Sequence, residues 1–207
     1  ISNRKEFDVR RGNRSAKAAI DLTLKTHDFL GSIQWEKDFE WNFEWGVNAL
    51  LQDNFSNPET GVKRLIPDHQ KYQAGTFLTG NYRPSNNFSW EWGFRFDQVI
   101  IDAQKFYDTS NWISRGYNIR YAEFEQKNFG TQILTNPRLN FSNISAQTGF
   151  AVGIGESVET TFCYMLTQRA PNVSELFSDG LHHSLASIEY GFIGLQKETS
   201  NKLILGI

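Results

Sequence analysis

Apolar and polar residues alternate one by one through much of this chain. Across 40–52 one parity reads Trp41, Phe43, Trp45, Val47, Ala49 and Leu51, and the other reads Glu40, Asn42, Glu44, Gly46, Asn48, Leu50 and Gln52. Successive side chains of a strand point to opposite faces. This stretch therefore predicts a strand with one apolar face and one nearly all-polar face. Across 88–101, Phe88, Trp90, Trp92, Phe94 and Phe96 share a parity opposite Ser89, Glu91, Gly93, Arg95 and Asp97. In 144–154 the apolar parity carries Ala146, Thr148, Phe150, Val152 and Ile154, and in 158–166 it carries Val158, Thr160, Phe162, Tyr164 and Leu166. Weaker alternation predicts strands in 18–24, 29–35, 72–82 and 203–207, and another in 4–10.

The connections alternate in length. Lys37-Asp38-Phe39, Pro84-Ser85-Asn86-Asn87 and Gly155-Glu156-Ser157 are short and rich in turn residues. Long loops are predicted near 53–70, 104–137 and 169–198. Strict alternation puts all tight turns at one end of the sheet and all long loops at the other. Strands of a soluble sandwich run about 5 or 6 residues, and several here exceed that. A tilted strand crossing a bilayer needs about 9–11. Aromatics also crowd the turn end of the apolar face, with Trp35 and Trp41 at one turn and Tyr82, Phe88 and Trp90 at the next. This has the form of an interfacial aromatic girdle. The fold class is therefore all-β: a long antiparallel meander of about eight or nine strands, forming part of a large transmembrane β-barrel. A closed barrel satisfies its backbone in lipid, which an open sheet cannot. Two alternatives remain: a soluble secreted β-sandwich binding carbohydrate or a surface partner, and a passive porin.

Composition narrows the function classes. Phe 17, Tyr 7 and Trp 6 are too many aromatics for a solvated disordered chain. A net charge of -2 provides no field for gathering nucleic acid. The longest apolar runs, such as Val99-Ile100-Ile101, fall far short of the roughly 20 residues of a membrane helix. Cys163 is the only cysteine, which excludes an internal disulfide and a Cys-rich zinc cluster. No Gly-x-Ser-x-Gly elbow or phosphate loop is present, and no enzyme is predicted. No linker divides the chain, so residues 1–207 read as a single unit. The opening Ile1 and the closing Gly206-Ile207 suggest a piece of a longer protein.

One segment carries a family resemblance. Gln168-Arg169-Ala170-Pro171-Asn172-Val173-Ser174-Glu175-Leu176-Phe177 resembles the arginine-alanine-proline…glutamate-leucine box of TonB-dependent outer-membrane receptors. Ile188-Glu189-Tyr190-Gly191 followed by Gly194-Leu195-Gln196-Lys197-Glu198-Thr199-Ser200 resembles that family's second box, with Phe192-Ile193-Gly194 where an asparagine-proline is usual. The loop 57–67 is also similar to an extracellular loop of these receptors. The resemblance implies a location in the bacterial outer membrane and a barrel of 22 strands, of which this chain would be roughly a third to two-fifths. It implies a plug domain, not found in these residues, through which the TonB complex supplies energy. It further implies import of a scarce nutrient: haem, a metal or metal chelate, a siderophore or an oligosaccharide. No cofactor is implied.

Candidate contacts follow. His182 and His183 lie between the two boxes, where haem- and metal-importing relatives often carry a cargo histidine, and neutral imidazole suits haem iron and zinc. The same pair equally reads as two exposed loop residues. His69 is a second candidate cargo contact, or a surface histidine. Trp112 and Tyr117 belong to an aromatic-rich loop that either stacks on a flat ligand or packs on itself. Arg169, Pro171 and Glu175 form a structural loop box. An Arg–carboxylate pair orders a turn, and a proline without a donor ends strand pairing.

Overall fold

The computed structural model describes residues 1–6, 18, 20–38, 40–60, 66–155, 158–182 and 187–207, and for 6, 20, 180–182 and 187 the backbone alone. Its strands are β1 (Ser2–Glu6), β2 (Ile20–Lys37), β3 (Trp41–Ser56), β4 (Asp68–Ser85), β5 (Phe88–Asp108), β6 (Glu125–Asn128), β7 (Gln132–Thr135), β8 (Arg138–Ile154), β9 (Val158–Arg169), β10 (Asp179–His182), β11 (Ser187–Tyr190) and β12 (Glu198–Gly206). Three short helices, α1 (Thr109–Ser114), α2 (Tyr117–Arg120) and α3 (Val173–Phe177), lie in the long connections. The main array runs β1-β2-β3-β4-β5-β8-β9-β12, each neighbour antiparallel. Among the described residues no helix is long and apolar enough to cross a membrane.

The ladder carries the predicted parity from strand to strand. Trp45 pairs with Ile33 and Leu78, Leu78 with Phe94, Phe94 with Ala146, and Ala146 with Leu166. These residues form one continuous apolar face, and much of it is exposed: Phe29 60%, Ile33 61%, Phe94 48% and Leu203 59%. A soluble sandwich would bury such a face under a second sheet. None covers it among the described residues. The polar groups on this face are satisfied locally. The Trp45 indole N–H donates to Thr76 Oγ1 at 3.0 Å, and the Trp90 indole N–H to Thr148 Oγ1 at 2.9 Å. At the turn end, Trp41 stacks on Tyr82 at 4.1 Å and Trp90 on Phe150 at 6.0 Å, so the aromatic band is continuous across neighbouring hairpins.

The opposite face carries a polar network. Arg95 donates to both carboxylate oxygens of Asp97 at 2.6 Å and to Asn48 at 2.7 Å. Gly75 lies between them, and any side chain there would collide with the Asp97 carboxylate. Glu91, on the same face, accepts from the Asn81 amide at 3.2 Å.

Strand ends differ from the sequence reading. Residues 20–24 and 29–35 belong to one strand, β2, and of the strand expected over 4–10 the part from residue 7 on lies outside the described residues. The loops shorten to 57–67, 109–137 and 170–197, because backbone pairing such as Asn54 with His69 continues where side-chain alternation has stopped. Ladder hydrogen bonds do not depend on the apolar pattern.

Candidate functional site

The loop end of the array is built from the Arg169 box upward. β9 and β12 pair last at Arg169 and Glu198. Pro171 follows, with no donor to extend the ladder. Asn172 then caps α3 in a reciprocal capping box with Glu175, whose Oε2 accepts the Asn172 backbone N–H at 2.7 Å. The Arg169 guanidinium grips Glu175 with two bonds, at 3.0 and 2.9 Å, and Glu198 at 2.6 Å. The Arg169 hydrogen bonds and the backbone donor hold the Glu175 carboxyl down to about 2. A depressed carboxyl stabilises the fold above its ordinary value of 4.5, and that contribution is lost as pH falls from there toward 2. Protease cleavage of 170–197 should therefore rise as pH falls through this window, and Glu175→Gln should give the raised, pH-independent rate already at pH 7. A pH-independent rate in the native protein would remove the clamp from the account.

The two long loops share a core. Trp112, Tyr117 and Ile133 of the 109–137 connection pack with Leu176, Phe177 and Ile193 of the 170–197 connection. Their base is Val99, Ile101 and Ala103, on the polar-face parity at the top of β5. Lys105 and Asp179 join the loop to β5 inside this core, 3.8 Å apart. Gly191 closes against the end of α3. A Cβ there would sit 2.5 Å from the Phe177 nitrogen and 2.6 Å from the Leu176 carbonyl carbon, so only glycine fits. Trp112 is 0% and Tyr117 2% exposed. Both candidate ligand contacts thus point into the loop core, where no ligand reaches them in this conformation.

His69 is not a loop residue. It sits near the start of β4, 9% exposed, and its Nδ1–H donates to the Pro67 carbonyl at 3.0 Å. A neutral ring held this way leaves Nε2 as an acceptor. His69 lines a cavity of about 320 Å³, walled by Leu22, Gln52 and Lys71 and roofed by Pro171 to Ser174. The box that the sequence marks as structural therefore also shapes a cavity. No sequence signal ties His69 to α3, because the contact joins segments a hundred residues apart. A larger hollow of about 480 Å³ lies midway along the strands, between Leu30, Phe77, Arg95, Gln147 and Met165. The backbone of His182 ends β10 opposite Ser187, and His183 lies outside the described residues. Among the described residues no group of three or more His, Cys, Asp or Glu side chains is placed to hold a metal ion.

This array is shared with solved structures. The Serratia marcescens hemophore receptor HasR, in complex with its hemophore HasA and heme, matches 91% of this chain with a TM-score of 0.61 at 17% identity. The copper transporter OprC matches 96% of it with a TM-score of 0.57 at 14% identity. The fold is that of a TonB-dependent receptor barrel. The chain spans 30% of HasR and 29% of OprC, under a third of either. At these identities the likeness is one of fold. No family model matches the sequence. A comparison with curated proteins also finds no match. The exposed apolar face and the aromatic band at the turns lie on one side of this array. The Arg95–Asp97 network lies on the other side, with the loop core folded over one end of it.

Proposed function

We propose that residues 1–207 are one unit of the barrel of an outer-membrane active-transport receptor. The receptor binds a scarce nutrient at the loop end and imports it with TonB energy delivered through a plug domain outside these residues. The observation that carries this reading is the two-faced array with both long loops packed onto one end of its polar face. That arrangement leaves a cavity under a defined roof, at the end away from the short turns. Haem, a metal or a metal chelate is the favoured cargo. The hemophore receptor and the copper transporter support that choice by fold, and His69 supports it by its place on the cavity wall. His182 and His183 remain proposed cargo ligands on the sequence argument.

The test uses the full-length protein in detergent, titrated with haem, Zn²⁺, ferric chelates and oligosaccharides, and cells assayed for uptake with and without TonB. The expected result is heat-modifiable mobility, saturable binding of one metal-containing cargo, and TonB-dependent uptake. Loss of that binding in His182→Ala or His183→Ala would make those residues ligands. Uptake that ignores TonB would establish a passive porin instead. Solubility without detergent would end the membrane reading.

A further inference from the structure

Lys71 and His69 occupy alternate positions on the polar face of β4, and both line the 320 Å³ cavity under α3. Lys71 is partly buried, and its ammonium makes no hydrogen bond or ion pair with any described residue. Its ladder partners are Gln52 and Ile101, neither of them acidic. A partly desolvated ammonium without a counter-charge is unfavourable, and an anion arriving there relieves that cost. The other basic groups on the wall are committed. Arg4 already has an interaction partner, and the Nδ1–H of His69 is held by Pro67. The lining is mixed: Leu22, Leu24, Ile101 and Val173 form its apolar part, beside the neutral polar Gln52, Asn54 and Ser174. One available cation beside this apolar part matches a ligand with one negative group and a nonpolar body.

We propose that this cavity binds a small carboxylate with an apolar body, Lys71 meeting the carboxylate and Leu22, Leu24, Ile101 and Val173 enclosing the body. The proposal names a chemical group that the cargo of the receptor would present. It rests on the receptor reading for transport, though not for binding.

The probe is 2-naphthoate, with 2-naphthamide as its uncharged counterpart, titrated into the full-length protein in detergent. The native protein should bind 2-naphthoate saturably and the amide about tenfold more weakly or worse, the size of a charge-assisted hydrogen bond. Lys71→Gln should lose a similar factor, and Lys71→Arg should keep most of the affinity. Both variants carry the same micellar background, and unchanged heat-modifiable mobility shows that each is folded. Absence of saturable binding to the native protein overturns the proposal. So does equal affinity for acid and amide, or undiminished binding in Lys71→Gln. A protein that imports its nutrient yet ignores 2-naphthoate removes the carboxylate site and leaves the receptor standing. One that binds 2-naphthoate at Lys71 but shows no TonB-dependent uptake does the reverse.

Discussion

Lys105→Met is expected to release the 170–197 connection from the top of β5 while leaving the strands paired. Lys105 and Asp179 are 3% and 5% exposed, with Nζ and Oδ2 3.8 Å apart. Removing Lys105 takes a buried counter-charge away from Asp179, and breaking a buried pair costs up to about 3–5 kcal/mol. That cost falls on a small unit, since the core beneath it consists of a few side chains from two loops and one strand end. The loop should therefore open before the sheet does. In detergent, limited proteolysis should cut Lys105→Met within 170–197 at rates well above native, with unchanged far-ultraviolet circular dichroism. Adding Asp179→Leu should restore much of the protection, because the double change replaces the pair with apolar groups. Undiminished protection in Lys105→Met would mean that the apolar contacts alone hold the loop.

Trp112→Ala is the second large effect. The indole is fully buried, 5.0 Å from the Tyr107 ring and 5.3 Å from the Tyr117 ring, with its N–H donating to Glu125 at 2.5 Å. Truncating a buried tryptophan to alanine costs about 3–5 kcal/mol through lost burial and the cavity left behind. Trp112→Phe should cost much less, since the ring contacts are partly kept and Glu125 is exposed to water. The measurement is urea-induced opening of the loop region, followed by proteolysis, because both variants lack the loop's own tryptophan and the other five lie in β2, β3 and β5. The pair of variants also separates the two readings of the aromatic loop. Packing predicts that cargo affinity follows loop stability in both variants. Direct stacking on cargo predicts affinity lost in Trp112→Ala at conditions where the loop remains closed.

The legible part of this protein was its strands. Alternation from Trp41 to Leu51 and from Phe88 to Phe96 marked both the elements and their faces, because the side-chain period of a strand is fixed at two. Turn residues marked the hairpins closing β2 to β3, β4 to β5 and β8 to β9. The Arg169, Pro171 and Glu175 box was legible too, since its contacts are local: Glu175 lies three residues from the backbone group it caps. The ends of the strands were not. His69 read as a loop residue because apolar alternation fades before it, while its backbone still pairs with Asn54 and Ala103.

The sequence by itself determined an all-β chain with two chemically opposite faces, tight turns at one end and long loops at the other. Local periodicity suffices for this, because each face is written residue by residue. Only the tertiary structure decided where the long loops go. It packs Trp112 and Tyr117 against Leu176 and Phe177, joins Lys105 to Asp179, and sets α3 as a roof over His69 and Lys71. These contacts join residues far apart in the chain and lack any period. They form because apolar loop side chains and the apolar upper end of β5 bury one another, an outcome that depends on shape and not on spacing.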